Sequence, residues 1–392
     1  MPTEEKAKLI EKLFAGMDPE LDITVAEFED ESFSIDFPRE DEQIVLSFED
    51  LMNYRSFENL SITRIRVSSN FITQFPIMGH SFALEYLTEK HRFEYENEGV
   101  KIKVINNPLL LGIGAVSLGE YSKYCPPCTP YTALHIEYAT EAQKLSESEE
   151  YKLAKSFMFE YSHLAGLAFT FSEIRDVYWD GYDENEDVVL NVVKVNSLKS
   201  YSDGMDLFKR AMDANDQEIS FLFYYKLIEF YAPVAAKRSA FDHLTQRLDS
   251  LRIKGATNSD IDAILQISAN YRSSQSDKDL AQALLKDTID IIEFFPKLPE
   301  EIRKKISKAA NFNPTQLTYD TNQEIINKIF NLLGSILYST RNSIVHAKSN
   351  YTPDQNECRP EDLEQLNLFL RQISYVIINW YDRLPNHIKY NN

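Results

Sequence analysis

The chain has 392 residues, enough for two or three domains, and its hydrophobic fraction of 43% predicts packed cores rather than disorder. Its formal net charge is −20, yet the segment from Gln217 onward contains 21 Lys and Arg and 21 Asp and Glu. Removing these from the totals of 41 and 61 leaves 20 basic and 40 acidic residues, so the acidic excess lies before Gln217. Such a surface repels phosphate and excludes non-specific nucleic-acid binding there.

Other bulk features argue against a secreted disulfide-bonded protein, a membrane-spanning protein and a fold with Gly-rich phosphate loops. Three cysteines do not form a secreted disulfide framework, and the first residues lack the order of a signal peptide. The longest apolar run, 108–118, is too short to span a bilayer. With only 11 Gly, the chain is not expected to depend on Gly-rich phosphate loops. We therefore expect a cytoplasmic protein without membrane contact.

The first 200 residues are predicted to form an acidic α+β domain, or two small ones. Residues 4–15 have the apolar stripe of a short helix, and helical periodicity returns in 141–178. An acidic turn precedes a buried strand in 188–195. The remaining strands are predicted from alternating polar and apolar residues, with Asn97-Glu98-Gly99 as a hairpin turn, in 32–37, 61–67, 92–96, 101–105 and 132–138.

Residues 201–392 are predicted to form an all-α domain of roughly six or seven helices. The helix over 217–231 is apolar nearly all round, which is typical of a core helix. Prolines fall between the periodic segments, where helix boundaries are expected. The other predicted helices cover 205–214, 258–270, 277–293, 298–310, 321–340 and 361–383.

The segment from Tyr338 to Lys348 carries the candidate chemistry, at the predicted end of a long apolar helix. RNA is cleaved when its own 2′-hydroxyl attacks the adjacent phosphate, which requires proton transfer and stabilisation of negative charge. His346 can act as general base or acid, as histidine side chains do in many enzymes. Arg341 can hold phosphate oxygens, Asn342 can orient the phosphate or the imidazole, and Lys348 adds positive charge for substrate binding.

The spacing alone does not single out this segment, because Arg238 and His243 have the same separation. His243 lies inside a smooth helical pattern, which favours a surface or boundary histidine without chemistry. The polar block around Arg341, which follows a long apolar helix, favours the second match as a site.

The segment Arg341-Asn-Ser-Ile-Val-His-Ala-Lys348 resembles the signature of the HEPN superfamily, an Arg followed by a polar residue and, after four to six residues, a His. The core helix over 221–231 is similar to the first helix of HEPN-like proteins. The resemblance covers roughly residues 205–385. It implies a HEPN-like helical bundle that forms a homodimer, with two motifs facing one composite cleft. It also implies a metal-independent endoribonuclease without a cofactor, often a toxin or an anti-phage defence effector.

Within that resemblance Arg341, Asn342 and His346 would be catalytic, while Tyr225 and Glu229 match only at the level of the helix. The acidic N-terminal domain would sense a protein or ligand and restrain the nuclease. The alternative is a catalytically inactive HEPN-like scaffold that binds a nucleotide or a protein partner.

Three weaker patterns favour ordinary structure. Cys125 and Cys128 have the spacing of half a zinc site or of a redox pair, but the chain offers no matching second pair of metal ligands, so an ordinary loop with two thiols is favoured. The acidic run 183–187 lacks the Gly and the final Glu of a calcium loop. Gly112 and Gly114 lack the third Gly and the Lys of a phosphate loop.

Overall fold

The computed structural model describes residues 4–6, 8, 24–28, 32–36, 43–48, 57–67, 71–79, 91–106, 108–120, 131–166, 168–174, 191–195, 197–255, 257–272, 276–346 and 357–389. The chain divides into two compact units, Met1–Leu198 and Lys199–Asn392. The domain boundary predicted after residue 200 lies two residues from this division. Of the helix predicted over 4–15, the described residues 4–6 and 8 are helical and the rest lie outside the described part.

Two sheets form the N-terminal unit. The first is antiparallel and consists of β1 (Thr24–Phe28), β2 (Ser32–Asp36) and β3 (Gln43–Ser47). The second is mixed, with strand order β11-β7-β8-β9-β6-β5-β4, and β10 pairs with β6 beyond the end of β5. Only β11 and β7 pair in parallel among these described strands. The strands are β4 (Phe57–Ser61), β5 (Arg64–Val67), β6 (Ile72–Gly79), β7 (His91–Asn97), β8 (Val100–Asn106), β9 (Thr132–Tyr138), β10 (Phe169–Phe171) and β11 (Asn191–Val195).

Two hairpin turns connect neighbouring strands of the mixed sheet, one between β4 and β5 and one between β7 and β8. The single strand predicted over 61–67 is wrong, because Ser61 Oγ accepts from the Arg64 N–H at 3.1 Å and donates to the Arg64 carbonyl at 3.0 Å. These bonds close a hairpin between β4 and β5. The turn between β7 and β8 is confirmed, with positive φ at both Glu98 and Gly99, as a two-residue hairpin loop requires.

Helices cover both faces of the mixed sheet. The helix α1 (Leu109–Leu118) packs with Ile65, Val67 and Ala133 on one face. The helix α2 (Glu147–Ala165) packs Phe157, Met158 and Tyr161 against the other face, at Phe75, Phe93, Leu134 and Ile136. The helix predicted over 141–178 is therefore too long. It begins after the capping box of Ser146 and Glu149 and ends at Gly166, whose φ of 77° breaks the helix before β10.

Among the residues that the structure describes, ten α-helices have both ends placed, and eight of them lie in the C-terminal unit. Its longest is α4, whose start is capped by the Asp216 carboxylate. The eight are α3 (Asp203–Asp213), α4 (Gln217–Lys254), α5 (Asn258–Arg272), α6 (Asp277–Thr288), α7 (Ile291–Phe294), α8 (Glu300–Ala310), α9 (Gln323–Val345) and α10 (Leu363–Asp382). Helices α3, α6 and α10 pack along α4, around buried side chains that include Phe208, Phe221, Tyr231, Leu285, Leu333, Phe369 and Ile377.

Helix boundaries differ from the predicted ones in three places. The core helix predicted to end at Tyr231 continues to Lys254, and it includes Pro233. The helix predicted over 277–293 is interrupted at Ile289, after which the Asp290 carboxylate caps the short α7. The helix predicted to end at Thr340 continues to Val345. Within the described residues, no helix has the length and apolarity that crossing a bilayer requires.

Candidate functional site

The Arg341 block lies on the last turns of α9 rather than after the helix. Residues 335–352 contain neither Gly nor Pro, so no residue type that breaks a helix stops α9 before the block. His346 is the first residue beyond the helix, and its backbone N–H donates to the Asn342 carbonyl at 2.9 Å. The helix therefore fixes the backbone of Arg341 and Asn342, and His346 closes its C-terminus.

Arg341 and Asn342 contact each other, whereas His346 is oriented elsewhere. The Arg341 guanidinium donates to Asn342 Oδ1 at 3.1 Å, and both residues are half-buried. His346 is exposed. His346 follows Arg341 by five residues, which on an ideal α-helix corresponds to about 7.5 Å along the axis and about 140° around it. Within one chain, the two residues therefore do not lie on the same side of α9.

The Arg341 guanidinium faces carboxyl and phenol groups of α4. Burial raises the pKa of the Glu229 carboxyl, and the positive charge of Arg341 opposes that rise, while Asp277 adds to it. Burial also raises the pKa of Tyr225, and the positive charge of Arg341 opposes this rise as well. The Tyr225 hydroxyl is buried and has no hydrogen-bond partner among the residues that the structure describes. Arg341 thus lies near the Glu229 carboxylate without forming an ion pair with it, and near the unpartnered Tyr225 hydroxyl.

A returning segment anchors the start of the block. The buried Thr340 hydroxyl donates to the Ile336 carbonyl at 2.8 Å and accepts from the Cys358 N–H at 2.9 Å. Cys358 is buried, and burial raises the pKa of its thiol to about 12, so it remains a thiol at neutral pH. The bond from Cys358 ties the end of the connection that precedes α10 to the turn of α9 that carries Arg341. Lys348 belongs to that segment and lies outside the described residues.

The structure adds two residues to the predicted site. No role was predicted for Glu229 and Tyr225 from the sequence. Glu229 precedes Arg341 by 112 residues, and residues so far apart in the chain form no local pattern. The one available signal was the pair of polar groups one helical turn apart in an otherwise apolar helix. The competing His243 is exposed on α4, as expected for a surface histidine.

The other weak patterns can be placed only in part. Gly114 lies inside α1, where a Cβ would meet Ile65 Cδ1 at 2.1 Å, so this glycine permits close packing and is not part of a phosphate loop. In the described part of the chain, no group of three or more His, Cys, Asp or Glu is placed to hold a metal ion. Cys125, Cys128 and the acidic run 183–187 lie outside that part.

Comparisons with protein-family models, with curated proteins and with solved structures found no match to this chain. The chemistry must therefore be argued from the groups themselves. A half-buried guanidinium at a helix end can bind an anion, and an exposed imidazole nearby can move a proton at neutral pH. Together they suit phosphodiester chemistry that needs no metal.

Proposed function

We propose that the C-terminal unit is a metal-independent endoribonuclease of the HEPN type, acting as a toxin or an anti-phage defence effector. One observation supports this most strongly. Arg341 is held half-buried beside Asn342 and Glu229, at the helix end where His346 is exposed. An arginine kept only for stability would be expected in a closed ion pair, and no described carboxylate lies within ion-pair distance of Arg341. Its guanidinium therefore keeps donors for a phosphate.

In the proposed reaction, His346 removes the proton from a ribose 2′-hydroxyl. The 2′-oxygen attacks the adjacent phosphorus, and the bond to the 5′-oxygen breaks as that oxygen takes a proton from a water molecule, while the protonated His346 returns its proton to the solvent. Arg341 stabilises the negative charge of the phosphorane, and Asn342 holds the guanidinium in place. The products are a 2′,3′-cyclic phosphate and a free 5′-hydroxyl. Lys348 would bind the RNA backbone.

The active form is proposed to be a homodimer. Because Arg341 and His346 project about 140° apart around α9, a single copy does not direct both groups at one phosphate. A second copy could place its His346 opposite the first copy's Arg341. The acidic N-terminal unit would then sense a protein or ligand and restrain cleavage until that trigger arrives.

Cleavage of total RNA in EDTA tests the proposal. The wild-type protein should cut RNA and leave 2′,3′-cyclic phosphate ends, while His346→Ala and Arg341→Ala should each reduce the rate at least about 100-fold. His243→Ala removes the histidine of the Arg238–His243 pair, which has the same spacing on α4, and should keep cleaving, so it serves as a matched control.

Two results would contradict the proposal: no cleavage under any condition that activates the protein, or cleavage that survives both substitutions at Arg341 and His346. Mixing the two inactive variants tests the dimer. If each copy supplies one group to a shared site, a mixture of His346→Ala and Arg341→Ala subunits should recover part of the activity.

A further inference from the structure

A cleft of about 490 Å³ lies in the C-terminal unit between the middle of α4 and the end of α10. Its size falls in the range of pockets that bind small molecules, roughly 300–1,000 Å³. Charged and aromatic side chains line most of it. Those that carry the argument are Arg238, Phe241, Asp242, Trp380, Arg383 and His387.

The cleft presents both a free cation and a carboxylate. Arg383 is exposed, and no described side chain pairs with it. Arg238 is already compensated, since its Nε lies 3.8 Å from the Asp242 carboxylate and its charge also counters the burial-raised pKa of Asp287. The cleft therefore offers Arg383 to an anion and the largely exposed Asp242 to a hydrogen-bond donor.

Flat side chains form the walls between these two charges. The Phe241 ring lies with its centroid 5.3 Å from that of His387, and Phe241 is 43% exposed. Trp380 is buried to 95% and closes the cleft from behind. An apolar ring left this open at the mouth of a charged cleft is a surface for stacking a planar group.

The cleft is separate from the Arg341 site. Arg238 follows Glu229 on α4 by nine residues, about 13 Å along the helix axis. None of the residues that line the cleft belongs to the Arg341 site, so ligand binding there does not depend on RNA cleavage.

We propose that this cleft binds a nucleoside monophosphate group, with the base stacked on Phe241, because the His387 ring is tilted by 49° to the Phe241 ring and meets only the edge of such a base. The phosphate lies at Arg383, and a base N–H donates to Asp242. Arg383, the aromatic walls and the Asp242 carboxylate together exclude simpler ligands. An inorganic anion would leave the aromatic walls and Asp242 unused, and an apolar ligand would leave Arg383 without a partner. The same chemistry occurs in a free nucleotide and in one residue of an RNA chain.

Calorimetric titration of the full-length protein with GMP tests the proposal. Binding should saturate, and Arg383→Gln and Phe241→Ala should each weaken it at least about tenfold, because each removes one of the predicted contacts. Both residues are exposed, so the variants should melt at the wild-type temperature. Arg252→Gln is the matched control. Arg252 lies on α4, as Phe241 does, and its side chain is 83% exposed and pairs with Asp249 at 3.4 Å. The Arg252→Gln variant should therefore bind GMP with an affinity within twofold of the wild-type value.

Two further ligands identify the source of the nucleotide. A 2′-O-methyl hexaribonucleotide cannot be cleaved by attack of the 2′-oxygen, and binding that shares the sensitivity to Arg383→Gln would assign the cleft to RNA. Binding of GMP alone would assign it to free nucleotide. The proposal fails if neither ligand binds, if inorganic phosphate binds as tightly as GMP, or if both substitutions leave binding unchanged.

Discussion

At the scale of single residues, one carboxylate organises the core of the N-terminal unit. Glu150 is fully buried, and its oxygens accept from Arg64 at 2.6 and 3.0 Å, from Thr73 and Tyr138 at 2.8 Å each, and from Arg66. Two buried cations thus share one anion, and the two other donors complete its hydrogen bonding. Since every lone pair is used, the network ties three strands to the first turn of α2 and offers no open position for a ligand.

A buried histidine in the same sheet predicts how stability depends on pH. Burial lowers the pKa of His135 from 6.5 to about 4, and the charge of Lys103 acts in the same direction. The unfolded chain therefore takes up a proton near pH 6.5, and the folded chain only near pH 4. Stability should fall as the pH drops through this window, by about 2 kcal/mol at pH 5. The free energy of unfolding at pH 7 and pH 5 measures this loss.

His135→Gln isolates that effect, because the side chain keeps an acceptor for Gln74, whose Nε2 lies 3.1 Å from His135 Nδ1. The variant should lose about 2 kcal/mol less than wild type between pH 7 and pH 5. His243→Gln, at an exposed position, should follow the wild-type curve. An identical pH dependence for His135→Gln would show that His135 is protonated in the folded protein.

Residue-level prediction was possible where the pattern is local. Arg341, Asn342 and His346 were proposed as a site because a few positions of the chain contain all three. Glu229 and Tyr225 were named only for the likeness of their helix and were given no role, because only the packing of α9 against α4 brings them near Arg341. Burial of the Tyr225 hydroxyl without a partner likewise depends on tertiary contacts that periodicity does not report.

At the scale of elements, helix positions followed from periodicity and helix ends did not. Most helices of the C-terminal unit start within two residues of the predicted position, since apolar spacing and capping residues are both local. The predicted end of α9 was wrong because neither Gly nor Pro follows Thr340 closely in the sequence. The predicted end of α4 was wrong because the helix continues through Pro233, where the sequence has a stop signal. Packing of α5 along the second half of α4 extends the helix beyond its apolar core segment.

Pro233 links helix geometry to the candidate site. Proline has no N–H, so the carbonyl of Glu229, four residues earlier, lacks its usual donor within α4. Pro233→Ala should restore that bond and raise the free energy of unfolding by up to about 3 kcal/mol. It should also shift Glu229 relative to Arg341 and reduce RNA cleavage about tenfold or more.

Thermal unfolding and the EDTA cleavage assay measure these two effects on the same sample. Pro299→Ala, at the start of α8, is the control and should change neither quantity strongly, because Pro299 precedes the helix. Unchanged cleavage by a stabilised Pro233→Ala protein would show that the backbone at Glu229 does not position Arg341.

At the scale of the whole molecule, charge divides between the two units. Residues 199–392 contain 24 Lys and Arg against 25 Asp and Glu, so the C-terminal unit has a charge of −1 and the N-terminal unit has −19. An acidic unit on the same chain lowers the local concentration of RNA through repulsion. The proposed restraint of the nuclease would therefore have an electrostatic part that does not require a specific contact.

Expression in a bacterial host tests this restraint. Residues 199–392 form a compact unit, and on their own they should slow growth more than the full chain, because the acidic excess is removed. His346→Ala in the shorter protein should abolish the difference, which separates nuclease toxicity from the burden of expression. If the shorter protein is harmless although it cleaves RNA in EDTA, the units do not restrain each other. If toxicity survives His346→Ala, it has a source other than the Arg341 site.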